Sequence, residues 1–287
     1  MLKTLKPELL ANLDEFIDAA LKEDAPHGDI TSLACIPSQA RCRAKLLVKE
    51  PGVLAGVHVA ERIFKKLDPE STVEILLKDG TDISYGDVAF RIECNTQALL
   101  RGERVALNLM QRMSGIATQA NHFAFEVGGL PVKILDTRKT TPLLRFLEKY
   151  AVKTGGCHNY RNSLSDWFMI KDNHIDAAGG VGNAIQRVNE YMIDNNLDLG
   201  ITVEVRNLVE LHQALDAGSF TRIMLDNFEI PLLAEAVATV NKRFETEASG
   251  GINIHNVRRV AQTGVEYISV GALTHSAQSL DLSLKIT

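Results

Sequence analysis

The length, composition and charge of this chain are those of a globular protein with one or two domains. It has 287 residues, of which 45% are hydrophobic and 23% charged, so it can bury a substantial core. Its formal net charge of -5 argues against a nucleic-acid surface or a polybasic membrane surface. Any anion site must therefore be a local concentration of cations.

The start of the chain predicts an amphipathic helix. Apolar residues recur at helical spacing from Leu9 to Leu21, between acids such as Glu8 and Asp18, and this pattern differs from the uninterrupted apolar core of a signal peptide. No stretch approaches the ~18 apolar residues that a membrane span needs. The cysteines form no C-x-x-C pair and no Cys/His metal spacing, which favours reduced thiols. We therefore expect a cytoplasmic protein with no membrane segment.

A small α+β domain is predicted next. Strand-like runs at 44–48, 72–77 and 88–94 are separated by turn formers, and a helix is predicted at 57–67. Apolar residues at helical spacing then predict a long helix over 101–127. A helix of that length can bridge two domains.

Beyond this helix one pattern is repeated: a short β-branched run, polar residues or glycine, and then a helical stretch. The later units recur every ~22 residues, the length of a strand, a helix and two loops, which implies parallel strands with right-handed crossovers. Six units fit a closed or nearly closed β/α barrel. A doubly wound open sheet is the alternative, but no G-x-G-x-x-G fingerprint follows the first strand. The six runs are 132–135, 167–170, 201–203, 223–225, 246–248 and 267–270.

The residues that follow these strands predict an anion site, because barrel active sites lie at the carboxyl ends of the strands. Arg138 and Lys139 follow the first run, Arg161 lies on the next loop, and Lys171 follows the second run. Guanidinium groups grip carboxylates and phosphates in bidentate fashion, so this set suits a ligand with several such groups.

Acids and glycines complete the expected rim. Glu204 and Asp226 close successive strands, an arrangement that can hold Mg²⁺ together with a ligand's phosphates or hydroxyls; ion pairs with the nearby lysines are the alternative. The stretches 249–251 and 271–272 are placed where barrels bind phosphate through backbone N–H groups, with simple turn glycines as the alternative. His275 is interpreted as an ordinary loop histidine.

Several motifs, in order along nearly the whole chain, together resemble the quinolinate phosphoribosyltransferases, also called nicotinate-nucleotide pyrophosphorylases (carboxylating). They are His27-Gly28-Asp29-Ile30-Thr31, residues 103–108, Asp136-Thr137-Arg138-Lys139-Thr140, residues 149–156, Ile170-Lys171-Asp172-Asn173-His174 and residues 270–275.

This resemblance implies an α/β fold with an N-terminal open α/β sandwich domain and a C-terminal seven-stranded, TIM-like but incomplete α/β barrel. The sandwich would comprise residues 1–108 and 271–287, and the barrel residues 109–270. It further implies a homodimer, or a larger assembly of dimers, that converts quinolinate and phosphoribosyl pyrophosphate to nicotinate mononucleotide, pyrophosphate and CO₂, with Mg²⁺ as cofactor.

The resemblance also implies roles for individual residues. The cations Arg138, Lys139, Arg161 and Lys171 would bind the quinolinate carboxylates and phosphate oxygens, and Arg104 would enter the site from the partner subunit. Glu204 and Asp226 would serve the ribose hydroxyls and Mg²⁺. The expected catalytic set is Lys139, Lys171, Glu204 and Asp226, and the remaining expected substrate contacts are Thr137, Tyr160, Ser249, Gly250, Gly251, Val270, Gly271 and Ala272.

One departure from the family pattern concerns the loop before Arg161. Where the family usually has Gly-Gly-Gly-x-Asn-His-Arg, this chain has Tyr160 in place of the histidine. A phenol donates a hydrogen bond but is not a cation at neutral pH. His158 can compensate only if the loop is rebuilt.

Three alternatives remain open on the residues alone. Lys171 at a strand end suits a Schiff-base aldolase, although the neighbouring cations favour an anion clamp in which a charged ammonium is useful. A barrel that only binds a phosphometabolite is the second, and an enzyme of the same fold that uses nicotinate is the third.

Overall fold

The structure is a computed structural model that describes the backbone of residues 7–287 and the side chains of residues 13–287. The first elements are α1 (Pro7–Asp24), α2 (Ile30–Cys35), β1 (Arg41–Val48), β2 (Gly52–Val53), α3 (Val57–Leu67), β3 (Thr72–Ile75), β4 (Asp82–Ile83), β5 (Val88–Asn95) and α4 (Thr96–Glu126). They are followed by β6 (Lys133–Leu135), α5 (Arg145–Thr154), β7 (Phe168–Ile170), α6 (Asp172–Ala178), α7 (Val181–Asp194), β8 (Ile201–Val205), α8 (Leu208–Ala217), β9 (Arg222–Asp226), α9 (Ile230–Val240), β10 (Glu245–Ser249), α10 (Val257–Ala261), β11 (Tyr267–Ser269), α11 (Ala272–His275) and β12 (Leu282–Ile286).

Two compact units divide the chain. The first comprises residues 1–121, 141–156 and 277–287, and the second comprises residues 122–140 and 157–276. The long helix begins five residues before the predicted position 101, at Thr96, because Asn95 caps it by accepting a hydrogen bond from the Ala98 backbone N–H at 3.1 Å.

The first unit is built on an antiparallel sheet with the strand order β12-β1-β5-β3. Inward-facing residues alternate along β1 and β5, and helix α3 buries its apolar side. Phe64 of α3 meets Phe90 of β5 edge-to-face, with ring centroids 6.4 Å apart. The start of the predicted first helix, with Glu8, Leu9 and Leu10, lies outside the described side chains. Within them, Leu13, Ile17 and Leu21 are buried on α1.

The second unit contains six parallel strands in the order β6-β11-β10-β9-β8-β7. The order follows the chain from β7 to β11 and then returns to β6, without the reversal that defines a doubly wound sheet. A parallel bridge between Leu135 and His158 adds a seventh position beside β6. The sandwich and the incomplete α/β barrel expected from the sequence are thus confirmed.

None of the helices within residues 7–287 is both long enough and apolar enough to cross a membrane.

A substitution at Gly115 can test how closely α4 packs within the first unit. A Cβ atom on this residue would lie 1.8 Å from the Gln278 carbonyl oxygen. We expect Gly115→Ala to lower the free energy of unfolding by about 2 kcal/mol or more through overpacking. Thermal and denaturant unfolding measure this effect.

Gly182→Ala is the matched control, because Gly182 also lies inside a helix but its Cβ would meet nothing closer than Ala217 Cβ at 4.0 Å. It should raise stability by about 0.4–1 kcal/mol through the lower entropy of the unfolded chain. Equal stability of the two variants would contradict the packing assigned to α4.

Candidate active site

A cavity of about 840 Å³ lies at the carboxyl ends of the strands in the second unit. The structure brings almost all of the predicted site residues into its wall: Thr137, Arg138, Lys139, Tyr160, Arg161, Lys171, Glu204, Asp226, Ser249, Gly250, Gly251, Gly271 and Ala272. Four cations and two carboxylates thus share one cavity in a chain with a net negative charge. Such a cavity favours an anionic ligand.

Two of the predicted residues lie elsewhere. Val270 is fully buried, and its backbone N–H donates to the Leu135 carbonyl at 2.9 Å. Arg104 is exposed on α4, in the first unit. His158 pairs its backbone with β6, is exposed, and is absent from the cavity wall.

Six wall residues were not predicted as site residues: Met169, Met224, Asn227, Ile252, Ser269 and His275. Three of them carry a signal that a sequence can show. Met169, Met224 and Ser269 each lie two positions before a predicted site residue at the end of the same strand. Side chains two positions apart in a strand face the same side of the sheet. His275, interpreted as a loop histidine, lines the wall and contacts the Ser276 hydroxyl with its Nδ1 at 2.7 Å.

Lys171 and Glu204 form an ion pair inside the cavity. Lys171 Nζ lies 2.5 Å from Glu204 Oε2, and the Glu204 side chain is only 10% exposed. The lysine backbone is also fixed, because its N–H donates to His174 Nδ1 at 3.0 Å. The ion-pair alternative is therefore realised at Glu204.

Asp226 is held by its neighbours at the end of β9. Its Oδ1 accepts from the Ser249 hydroxyl at 2.6 Å, and its Oδ2 accepts from Asn227 Nδ2 at 2.6 Å. Asn227 in turn packs against Gly250, where a Cβ would lie 2.1 Å from Asn227 Oδ1. Glycine is also required at Gly250 by its left-handed φ of +84°.

Arg138 and Arg161 are near enough to affect each other electrostatically. Burial lowers the pKa of Arg161, and the positive charge of Arg138 lowers it further. Both groups nevertheless remain charged, because an arginine is effectively always protonated in a protein. An anion bound between them would relieve their repulsion.

Tyr160 lines the cavity wall, and its hydroxyl is hydrogen-bonded to Thr202 Oγ1. Burial and the nearby negative charge of Glu247 raise the pKa of Tyr160, so the phenol is neutral at physiological pH. Tyr160 thus adds no charge to the cavity wall.

An anion-binding cavity at the strand ends of an incomplete α/β barrel defines the class of protein: a barrel enzyme that acts on acidic, phosphate-bearing substrates. Two family models match the chain, the quinolinate phosphoribosyl transferase N-terminal domain over residues 29–114 and its C-terminal domain over residues 116–285. The chain belongs to the quinolinate phosphoribosyltransferase family.

Individual relatives agree with this assignment. A Nicotiana tabacum protein, quinolinate phosphoribosyltransferase [decarboxylating] 2b, mitochondrial, is 46% identical over 96% of this chain and 82% of its own length. An Arabidopsis thaliana protein, nicotinate-nucleotide pyrophosphorylase [carboxylating], chloroplastic, is also 46% identical, over 96% of this chain and 83% of its own. The crystal structure of NadC from Streptococcus pyogenes superposes with a TM-score of 0.91 at 38% identity and covers 99% of both chains.

Proposed function

We propose that this chain joins quinolinate to phosphoribosyl pyrophosphate and removes one carboxylate as CO₂, giving nicotinate mononucleotide and pyrophosphate for NAD biosynthesis. The observation that carries this proposal is the set of four cations and two carboxylates in one cavity of a family member. Quinolinate carries two carboxylates and the other substrate carries phosphates, so the two reactants need several cations at close range.

The cations bind and orient the reactants. Arg138 and Arg161 are suited to the quinolinate carboxylates, because a guanidinium can grip a carboxylate through two parallel hydrogen bonds. Lys139 and Lys171 supply compact charges for the remaining carboxylate and phosphate oxygens. Thr137 accepts a hydrogen bond from the Lys139 backbone N–H through its hydroxyl at 3.1 Å, and so helps to shape the turn that carries Arg138 and Lys139.

The chemistry requires positioning and charge stabilisation more than a nucleophilic side chain. The pyridine nitrogen forms a bond to C1 of the ribose while the bond from C1 to pyrophosphate breaks. The ring nitrogen is then positive, and it stabilises the electron pair that stays on C2 when the adjacent carboxylate leaves as CO₂. C2 then takes a proton from water. Lys171 is paired with Glu204 at 2.5 Å, which suits charge stabilisation and disfavours the Schiff-base alternative, because that reaction needs a neutral amine.

Magnesium is the cofactor that we propose for this site. No group of three or more His, Cys, Asp or Glu side chains suited to a metal is found among the described residues. Glu204 and Asp226 nevertheless line the same cavity, and Mg²⁺ is commonly held by one or two carboxylates together with substrate phosphates. When bound, the ion neutralises charge on the pyrophosphate group. Both carboxylates are also suited to accept hydrogen bonds from the ribose hydroxyls.

The active enzyme that we propose is a homodimer, alone or within a larger assembly of dimers, in which Arg104 reaches the partner's site. Two observations support this proposal: Arg104 is exposed on α4, and it is absent from the cavity wall of its own chain. A cytoplasmic location is proposed because none of the four cysteines forms a disulfide, as expected in a reducing compartment. The two plant relatives are named as organellar proteins, so location can differ between members.

Substrate choice is the first test of this function. We expect purified protein with phosphoribosyl pyrophosphate and Mg²⁺ to consume quinolinate and release equimolar CO₂ and nicotinate mononucleotide. Nicotinate should be a poor substitute, because it lacks the 2-carboxylate that a second pair of cations would hold. Product chromatography and CO₂ capture measure both reactions, and equal turnover of nicotinate would contradict the quinolinate assignment.

The phosphate-binding role of the 249–251 turn is tested by Gly250→Ala. We expect this variant to raise KM for phosphoribosyl pyrophosphate about tenfold or more, because the new Cβ displaces Asn227 and its bond to Asp226. Gly129→Ala is the control: its φ of +81° is equally left-handed, but its Cβ would meet nothing within 4 Å. Both variants should lose comparable stability, and an equal rise in KM would argue against the turn's role.

The shared site is tested by mixing two inactive variants. Arg104→Ala and Lys171→Ala should each be nearly inactive, because each removes one cation from every site. When the two are unfolded together in equal amounts and refolded, about half of the dimers should be hybrids with one intact site each. Activity should recover to about a quarter of wild type. Hybrid dimers that form and remain inactive would exclude Arg104 from the partner's site.

A further inference from the structure

A buried polar cluster lies directly beneath the cavity. Side chains alternate along each strand, so the residue two places before a wall residue faces the barrel interior one layer lower. Thr202 precedes Glu204 in this way, and Glu247 precedes Ser249. Thr202 and Glu247 are fully buried, and Arg222 is only 6% exposed. Buried charges of this kind are costly unless they are paired and hydrogen-bonded.

The hydrogen bonds and ring contacts of this cluster form a continuous chain. Glu247 accepts from Arg222 Nη1 at 3.1 Å and from the Ser269 hydroxyl at 2.5 Å. The Tyr160 hydroxyl is hydrogen-bonded to Thr202 Oγ1, and Trp167 Nε1, which can only donate, reaches the same Thr202 oxygen at 2.9 Å.

These contacts determine what Tyr160 can offer to a ligand. Its hydroxyl is bonded within the cluster, to Thr202. Arg222 also lies against the ring, with its guanidinium carbon 4.9 Å from the Tyr160 centroid. Because the backbone N–H of Tyr160 donates to Asp136 Oδ1 at 2.8 Å, the ring, the hydroxyl and the backbone are all held from below.

Arg161 follows Tyr160 directly and is connected to the same cluster. Its Nη1 donates to the Trp167 carbonyl at 3.5 Å, and Trp167 packs edge-to-face on Tyr160 with centroids 6.0 Å apart. A change in the Tyr160 ring would therefore move both the backbone and one side-chain partner of Arg161.

We infer that Glu247 and Arg222 are positioning residues, which lock Tyr160 as an aromatic floor for the bound pyridine acid and thereby fix the direction of Arg161. In this arrangement Tyr160 contributes ring surface to the ligand, while its hydroxyl stays bonded to Thr202. The inference rests on the proposed function for the identity of the ligand, whereas the cluster itself does not depend on it.

Glu247→Gln and Glu245→Gln provide a matched test. Both carboxylates accept hydrogen bonds from Arg222, but Glu245 contacts neither Tyr160 nor Ser269 among the bonds of the cluster, and its side chain is 37% exposed. Glutamine at 247 has one acceptor oxygen for the two donors that Glu247 serves, Arg222 and Ser269. We expect Glu247→Gln to raise KM for quinolinate about tenfold or more, with a smaller change in kcat, and Glu245→Gln to change KM less than about twofold.

A double-mutant cycle separates positioning from a general structural role. Tyr160→Phe keeps the ring and should cost about tenfold or less in kcat/KM, while Arg161→Ala should cost far more. If Glu247 acts through Arg222 and the Tyr160 ring, Tyr160→Ala/Glu247→Gln should be no worse than Tyr160→Ala alone. Multiplying effects, or equal KM changes in the two glutamine variants, would overturn the inference.

Fluorescence tests the cluster without activity, because Trp167 is the only tryptophan in the chain. Its emission maximum should shift in Glu247→Gln and stay unchanged in Glu245→Gln. If the wild-type protein fails to use quinolinate, the proposed function is wrong, but the fluorescence comparison still tests the positioning role of Glu247. An unchanged Trp167 emission in both variants would overturn that role.

If Glu247→Gln does not fold, Thr202→Val takes its place, since it removes the link between Trp167 and Tyr160 and leaves every buried charge paired. It should shift the Trp167 emission and raise KM for quinolinate about two- to tenfold. An unchanged emission and KM would overturn the inference.

Discussion

Repulsion between cations is the constraint on which this site depends. Parallel strands bring the residues at their carboxyl ends to one rim, and here that rim carries Arg138, Lys139, Arg161 and Lys171. Burial lowers the pKa of Arg161, and the positive charge of Arg138 lowers it further. Lys171 is paired with Glu204. Four cations against two carboxylates still leave the cavity suited to a ligand with several negative groups, which explains how an acidic protein can bind acidic substrates.

Rigid support below the rim is what makes such a clamp specific. The cations sit on short loops, and loops alone position side chains poorly. Here the layer beneath the cavity is polar, with Glu247 and Arg222 buried and paired. A buried ion pair is weak evidence for stability, because the cost of removing both charges from water can exceed their attraction. The presence of the Glu247–Arg222 pair in this fold is better explained by its effect on orientation. The pair holds the Tyr160 side chain in place and, through Tyr160, the loop that carries Arg161.

The Tyr160 departure shows how structure changes the meaning of a residue. From the sequence, the phenol was a neutral replacement for a histidine, with an uncertain catalytic contribution. The structure shows that its hydroxyl is bonded to Thr202, that the negative charge of Glu247 is near enough to help burial raise its pKa, and that Trp167 and Arg222 pack around its ring. These partners come from four different strands or strand ends, so no local pattern near position 160 could have indicated them.

The sequence by itself determined the order of elements, the barrel and most of the cavity wall, because strand periodicity and the residues after each strand are local properties. It predicted helix 57–67 at its observed bounds and placed Lys171 and Glu204 at one rim. Only the tertiary structure decided that Lys171 pairs with Glu204, that Gly250 must leave room for Asn227, and that Val270 is buried away from the cavity. Those facts depend on which residues of distant strands become neighbours, and on distances of a few ångströms between them, which periodicity along one chain does not specify.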